Sequence, residues 1–232
     1  MREQNNQHIN FFLNLKESDR ILKHLHRKLK PEYYGFLAKE ITEAVGTFLT
    51  LKSLLTKYKL KATLVDFCSG NLLLPMIYNA VLKQKAIAID ANPPDTDYIK
   101  GGKLIGFDVE FKQVDIFSKE VEKILSTQSD TLVATGIHPC TTLAERIVEL
   151  AEHFQILIIM PCCIGSPRYE EWKRRNKLLN AFFKRILNDE YALWTYYLAE
   201  KLAEKMIVRF KKDKFVLSER NNMVIGVAVR EK

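Results

Sequence analysis

The 232-residue chain is poor in the residues that staple or punctuate a fold, with 4 cysteines, 9 glycines and 7 prolines. Cys162 and Cys163 are adjacent, so the cysteines make a poor disulfide framework, and reduced thiols in a cytoplasmic setting are expected. There is no internal repeat and no low-complexity tract. With 47% hydrophobic residues, the chain can bury one α/β core plus a helical addition. No apolar run approaches the roughly 18 residues that a transmembrane helix needs, and Met1 to Gln7 is polar, so no membrane partner is expected.

A dinucleotide fingerprint, G-x-G-x-x-G, is also missing. Thr63 to Phe67 reads as a buried parallel strand, Cys68 to Asn71 as a tight turn, Leu72 to Leu82 as a helix and Lys85 to Ile89 as a second strand. This βαβ unit ends on the carboxylate of Asp90. Its turn has one glycine, Gly70, with Asn71 and Leu72 where further glycines would stand, which disfavours a pyrophosphate packed on the helix N-terminus. Asp90 follows the turn by about 20 residues, the place where a nucleoside site puts the acid that binds ribose hydroxyls. An adenosine ligand without phosphates fits better than a dinucleotide, and S-adenosylmethionine is the common one.

Further strands are expected at Val109 to Val114, Thr131 to Thr135 and Gln155 to Met160, with helices at Ser118 to Leu125 and Thr142 to His153 between them. Thr141 or Thr142 would cap the second of these helices. Ala91 to Asp97 reads as a loop, and Tyr98 to Ile105 as a short helix. The alternation predicts a doubly wound parallel sheet. In front of it, helices are expected from Ser18 to about Leu29 and from about Glu32 to Tyr58, separated by Pro31. Behind it come a helix from about Tyr169 to Leu187 with an apolar stripe of Trp172, Leu179, Phe182, Phe183 and Ile186, a helix from Glu190 to Glu204, and two strands, Met206 to Phe210 and Met223 to Val229.

The segments V-D-F-C-S-G-N (Val65 to Asn71), A-I-D-A-N (Ala88 to Asn92) and V-D-I (Val114 to Ile116) resemble the cofactor site of class I S-adenosylmethionine-dependent methyltransferases. T-G-I-H-P-C (Thr135 to Cys140), L-A-E-R (Leu143 to Arg146) and M-P-C-C (Met160 to Cys163) are similar to a subgroup with H-x-C after the fourth strand and P-C-C after the fifth, which includes tRNA ribose 2′-O-methyltransferases. The resemblance implies a Rossmann-like, seven-stranded, mostly parallel sheet with helices on both faces and a C-terminal antiparallel strand pair over residues 63–232. Residues 1–62 would form a helical extension. The cofactor would be S-adenosylmethionine: Asp66 and the turn Cys68, Ser69, Gly70, Asn71 and Leu72 at its methionine part, Asp90 with Ala91 at the ribose, Asp115 and Ile116 at the adenine, and Thr135 and Gly136 beside the transferable methyl.

His138, in the loop after the fourth strand, would orient or deprotonate a hydroxyl or amine acceptor. Cys140 follows a proline, as does the thiolate nucleophile of enzymes that methylate cytosine at carbon-5, which makes it the second catalytic candidate. His138, Cys140, Cys162 and Cys163 are zinc-ligand types, but H-x-C and C-C lack the spacing of ordinary structural sites, and no metal is expected.

Charge separates the chain into three parts. Residues 1–62 and 166–232 carry net charges of +6 and +7, and residues 63–165 carry −5. Basic flanks suit a polyanion, so RNA is the expected acceptor, helped by Arg168, Lys173, Arg174, Arg175 and Lys177 interleaved with Tyr169 and Trp172, and by Lys211, Lys212 and Lys214. A protein or small-molecule acceptor, and an inactive cofactor-fold binding protein, are the alternatives.

Overall fold

Strand Thr63–Phe67 (β1) is buried along its whole length, because its neighbours cover both edges and helices cover both faces. It pairs in parallel with Ala86–Asp90 (β2) on one side and with Leu132–Ile137 (β6) on the other. The computed structural model describes residues 6–25, 34–94 and 96–228. The expected features at Met1 to Asn5, Arg27, Lys28, Leu29, Pro31, Glu32, Asp95 and Val229 lie outside the described residues.

The helices ahead of the sheet are Gln7–Leu13 (α1), Ser18–Leu25 (α2) and Tyr34–Tyr58 (α3). After β1 come Leu73–Leu82 (α4), then β2, the two-residue strands Ile99–Lys100 (β3) and Lys103–Leu104 (β4), and Val109–Gln113 (β5). Lys119–Ser126 (α5), β6, Thr142–Glu149 (α6) and Ile156–Met160 (β7) complete the parallel part. Pro167–Arg175 (α7), Lys177–Phe182 (α8), Glu190–Ala203 (α9), Ile207–Lys212 (β8) and Asn222–Val227 (β9) follow. Strand order across the nine-stranded sheet is β3-β4-β5-β2-β1-β6-β7-β9-β8. The run β5 to β7 is parallel, whereas β9 is antiparallel to β7 and to β8, so the expected seven strands are present with the small β3–β4 pair added at one edge.

Period-2 alternation divides the core between the two faces of the sheet. Leu64, Ala86, Ala88, Ile156 and Ile158 pack with α3 and α4, and Val65, Phe67, Ile87, Ile89, Leu157 and Ile159 pack with α6, α7 and α9. Helix α3 lies in the first of these layers, where Val45, Phe48 and Leu51 are fully buried. Phe48→Ala therefore lowers unfolding free energy by about 3–5 kcal/mol. Urea denaturation checks this, and a loss below about 1 kcal/mol would mean that α3 adds little to the core.

Four local expectations are corrected. Tyr98 to Ile105 is a hairpin, not a helix, because Gly101 and Gly102, with φ of 56° and 76°, permit the tight reversal that joins β3 to β4. The helix expected from Thr142 to His153 ends at Glu149 and tightens into a 3₁₀ turn, Leu150–His153. Neither threonine hydroxyl caps it; Thr141 has a φ of 45° and makes no side-chain cap bond. The stripe from Tyr169 to Leu187 is broken at Asn176 and again by a π-helical turn, Phe183–Leu187, which shifts the helical register. Trp172 is thus buried, while Phe182 and Ile186 are exposed.

Candidate functional site

The chain runs outward through β1, β2 and β5, then crosses back to β6 and β7, so the carboxyl edge between β1 and β6 is the switch point where open α/β sheets bind ligands. The turn that leaves β1 there is sharply bent. Cys68, Gly70 and Leu72 have φ of 54°, 49° and 66°, and two of these are not glycine, so backbone strain is held at this point. Three contacts hold it. Leu72 N–H donates to the Ser69 carbonyl (2.9 Å), Leu73 N–H to Asn71 Oδ1 (3.1 Å) and Gly70 N–H to Asp90 Oδ2 (3.0 Å).

Asp90 also accepts from Asn92 N–H at Oδ1 (2.9 Å), so its carboxylate joins the turn after β1 to the loop after β2. Two backbone bonds leave lone pairs on both oxygens for further donors. Asp66 is buried and accepts the Thr135 hydroxyl at 2.6 Å. Burial pushes its carboxyl up to about 7, the Thr135 bond working against that and the charge of Asp90 adding to it. Burial likewise pushes the Cys68 thiol up to about 12, with Asp90 and Asp66 contributing.

A cleft of about 260 Å³ opens against this turn. Asp66, Cys68, Ser69, Gly70, Asn71 and His138 line it together with Glu40, Glu43 and Ala44 of α3. The glutamates are the residues that sequence reasoning missed, although two acids three positions apart on an otherwise apolar helical face were a readable signal. Glu40 accepts from Asn71 Nδ2 at 2.6 Å, and burial raises its pKa. Glu43 is only 1% exposed, and its Oε2 lies 2.7 Å from His138 Nε2, within ion-pair distance though off line for a hydrogen bond. His138 has a φ of 59° and is anchored by its N–H on the Met160 carbonyl (2.9 Å). Ser69 Oγ, Glu43 Oε1 and His138 Nδ1 are buried without a hydrogen-bond partner among the described residues.

The other expected residues lie around this cleft rather than in its lining. Leu72 and Thr135 are buried behind it, Ile116 is buried at the tip of β5, and Asp115 is exposed with Oδ1 accepting from Phe117 N–H (2.9 Å). Ala91 is exposed. Gly136 packs closely, since an added Cβ would meet Ile147 Cδ1 at 2.7 Å. Cys140 faces other thiols: its Sγ is 3.3 Å from that of Cys162 and 3.1 Å from that of Cys163. Burial raises the Cys140 thiol, which is the reverse of the activation a thiolate nucleophile needs.

The basic helix expected to meet RNA is largely engaged with acids. Arg168 pairs with Glu149, Arg175 with Glu171, and Lys173 with both Glu170 (2.7 Å) and Glu190 (3.0 Å). Trp172 is buried, stacked on Tyr169 and donating its indole N–H to Glu200 (3.0 Å).

Residues 38–166, more than half of the chain, match a family described as "Methyltransferase domain". No curated protein matches significantly. Among solved structures, the plantazolicin methyltransferase BpumL in complex with SAH is 10% identical, with a TM-score of 0.50 over 98% of this chain and 96% of that one. The methyltransferase domain of bacterial CtHen1-CN is 15% identical, with a TM-score of 0.47 over 78% of this chain and 97% of that one. An O-methyltransferase family protein from Burkholderia thailandensis is 12% identical, with a TM-score of 0.43 over 97% and 68%. At these identities the likeness is one of fold, and the BpumL comparison carries it.

Proposed function

The chain belongs to the family described as "Methyltransferase domain", and from that premise we propose that it methylates a hydroxyl or amine of a small neutral or cationic acceptor, with His138 taking the proton and Glu43 holding the imidazole. It is a class I S-adenosylmethionine-dependent methyltransferase. The observation that carries the acceptor reading is the Glu43–His138 pair in the wall of the cleft beside the turn after β1.

The residues present fit the cofactor. An added Cβ at Gly70 would meet nothing within 4 Å, so the backbone is open to close approach, and Ser69 Oγ is a buried hydroxyl still in need of a partner. When bound, the cofactor supplies a methyl group on a sulfonium centre, which an acceptor takes by in-line displacement. Asp90 offers its remaining lone pairs to the ribose hydroxyls, Ile116 an apolar surface to the adenine and Asp115 an acceptor to its amino group. Asp66 and the Cys68 to Leu72 turn hold the methionine end. With Nε2 occupied by Glu43 at 2.7 Å, the His138 nitrogen left to accept a proton is Nδ1. The chain then needs only to align acceptor and methyl and to give the acceptor proton a destination.

Asp66 gives this reading a pH test. Its carboxyl keeps a proton up to about 7, whereas a cofactor ammonium group pairs with the ionised form. Affinity for S-adenosylmethionine therefore rises about tenfold per pH unit as pH climbs towards 7 and levels above it. Asp66→Asn flattens the profile; a flat calorimetric profile in the unaltered protein would remove Asp66 from the methionine end. The free protein shows the opposite trend. Across the interval from 3.8 to about 7 the unfolded chain has lost this proton while the native chain keeps it, so stability falls as pH rises.

Charge favours a small acceptor over RNA. Glu40 and Glu43 line the cleft with Asp90 beside it, which repels phosphate, and Arg168, Lys173 and Arg175 of α7 are ion-paired. RNA, with the tRNA ribose 2′-O subgroup as its narrower form, is the second reading, favoured by the net charge of +8. Radiolabelled methyl transfer from S-adenosylmethionine into small-molecule, protein and RNA fractions separates them. Label in the small-molecule fraction supports the proposal; label confined to RNA, with activity falling steeply in salt, overturns it. Among the described residues no helix is long and apolar enough to cross a membrane. The four free cysteines support the expected cytoplasmic setting.

A further inference from the structure

Three sulfurs from separate parts of the sequence meet beyond the cleft. Cys140 leaves the tip of β6 and Cys162 and Cys163 leave the tip of β7, and parallel pairing of these strands places the two tips side by side. The Sγ separations are 3.3 Å for Cys140 to Cys162, 3.1 Å for Cys140 to Cys163 and 3.4 Å for Cys162 to Cys163. These exceed a disulfide bond of about 2.05 Å, and all four cysteines are free. The sulfurs are near enough together that one point lies about 2.3 Å, the zinc–thiolate distance, from all three. Each residue is only partly buried, so a position beside that point is accessible to a fourth donor.

We propose that Cys140, Cys162 and Cys163 form a three-thiolate site for a thiophilic divalent cation of the zinc class. Three protein ligands and an accessible fourth position match the open type of zinc site rather than the closed four-ligand structural type. Sequence spacing argued against a site because it counts residues along the chain, whereas the ligands are brought together across adjacent strands. A divalent cation with three thiolates carries a net charge of −1. Arg220 is placed to offset it, since its guanidinium donates to the Cys162 carbonyl.

The cation also has a mechanical role. His138 and Thr141 flank Cys140 with φ of 59° and 45°, and the His138 carbonyl accepts from the thiols of Cys140 (3.7 Å) and Cys162 (3.5 Å). Strain of this kind persists where the surroundings over-determine the backbone. A bound cation cross-links the loops after β6 and β7 and holds the His138 backbone, leaving the imidazole with Glu43.

Cobalt(II) is the probe. Titrated into the full chain with all four thiols confirmed reduced, it produces a thiolate-to-cobalt charge-transfer band that saturates at one ion per chain and is displaced by zinc. Cys140→Ser and Cys163→Ser each weaken cobalt binding by at least about 100-fold, and Cys68→Ser leaves the band in place. S-adenosylmethionine binding by Cys140→Ser and Cys163→Ser, and an unchanged far-ultraviolet circular dichroism spectrum for Cys68→Ser, report that the variants are folded. Absence of the band in the reduced, unaltered chain overturns the site, as does a band that survives in both Cys140→Ser and Cys163→Ser.

Discussion

Replacing His138 by Gln lowers kcat by about 10²- to 10⁴-fold, the range that a positioned general base supplies. The dissociation constant for S-adenosylmethionine hardly changes. The reason is geometric: the imidazole sits in the cleft wall with Glu43, and none of the bonds that hold the turn after β1 passes through it. Glutamine retains polarity and approximate size, so the loop anchored by His138 N–H on the Met160 carbonyl keeps its backbone bond. Glu43→Gln reduces kcat in the same direction, because the carboxylate 2.7 Å from the imidazole that holds it in place is gone. If kcat in His138→Gln stays within about threefold of the unaltered enzyme, His138 is not the proton acceptor. If kcat falls but cofactor binding falls with it, the residue shapes the cleft and does not act on the acceptor.

Asp90→Ala acts on the other half of the reaction. Each ribose hydroxyl bonded to a carboxylate contributes about 1.5–3 kcal/mol. Two such bonds together weaken S-adenosylmethionine binding by about 10²- to 10⁴-fold when removed. The alanine also releases Gly70 N–H and Asn92 N–H, which bind Asp90 at 3.0 and 2.9 Å, so part of the loss comes from a loosened turn. Asp90→Asn separates the two effects, because its amide oxygen still accepts one backbone bond while the charge is lost. Calorimetric titration gives both affinities. An alanine variant that binds within about threefold of the unaltered protein would place the ribose elsewhere.

The parts of the molecule that were legible in the sequence are those whose signal is local. Thr63 to Phe67, Ala86 to Ile89 and Ile156 to Met160 are short apolar runs bounded by turn formers, and such runs specify buried parallel strands whatever surrounds them. The turn at Cys68 to Leu72 and the carboxylate at Asp90 belong to one βαβ unit, so their meeting at 3.0 Å follows from chain connectivity. Errors came where two local signals compete. Gly101 and Gly102 outweigh the helix pattern from Tyr98 to Ile105, and the π-helical turn from Phe183 to Leu187 defeats a periodicity drawn at 3.6 residues per turn.

The proposed catalytic side was hidden for a different reason. Glu43 reads along the chain as one of two acids, with Glu40, on an N-terminal helix face, and although that pair could mark a site, nothing near it in sequence says that His138 lies 2.7 Å away. Cys140 and the Cys162–Cys163 pair look too closely or too widely spaced to act together until β6 and β7 pair.

The sequence by itself determined the α/β architecture, the turn at Cys68 to Leu72 and the carboxylate at Asp90 that meets it, because hydrophobic period and turn chemistry act over a few residues. Tertiary structure alone decided which side chains join the turn in the cleft and which thiols gather at the tips of β6 and β7. Those neighbours come from α3, β6 and β7, and only the packing of a helix on a sheet and the register of parallel strands bring such distant side chains within bonding distance.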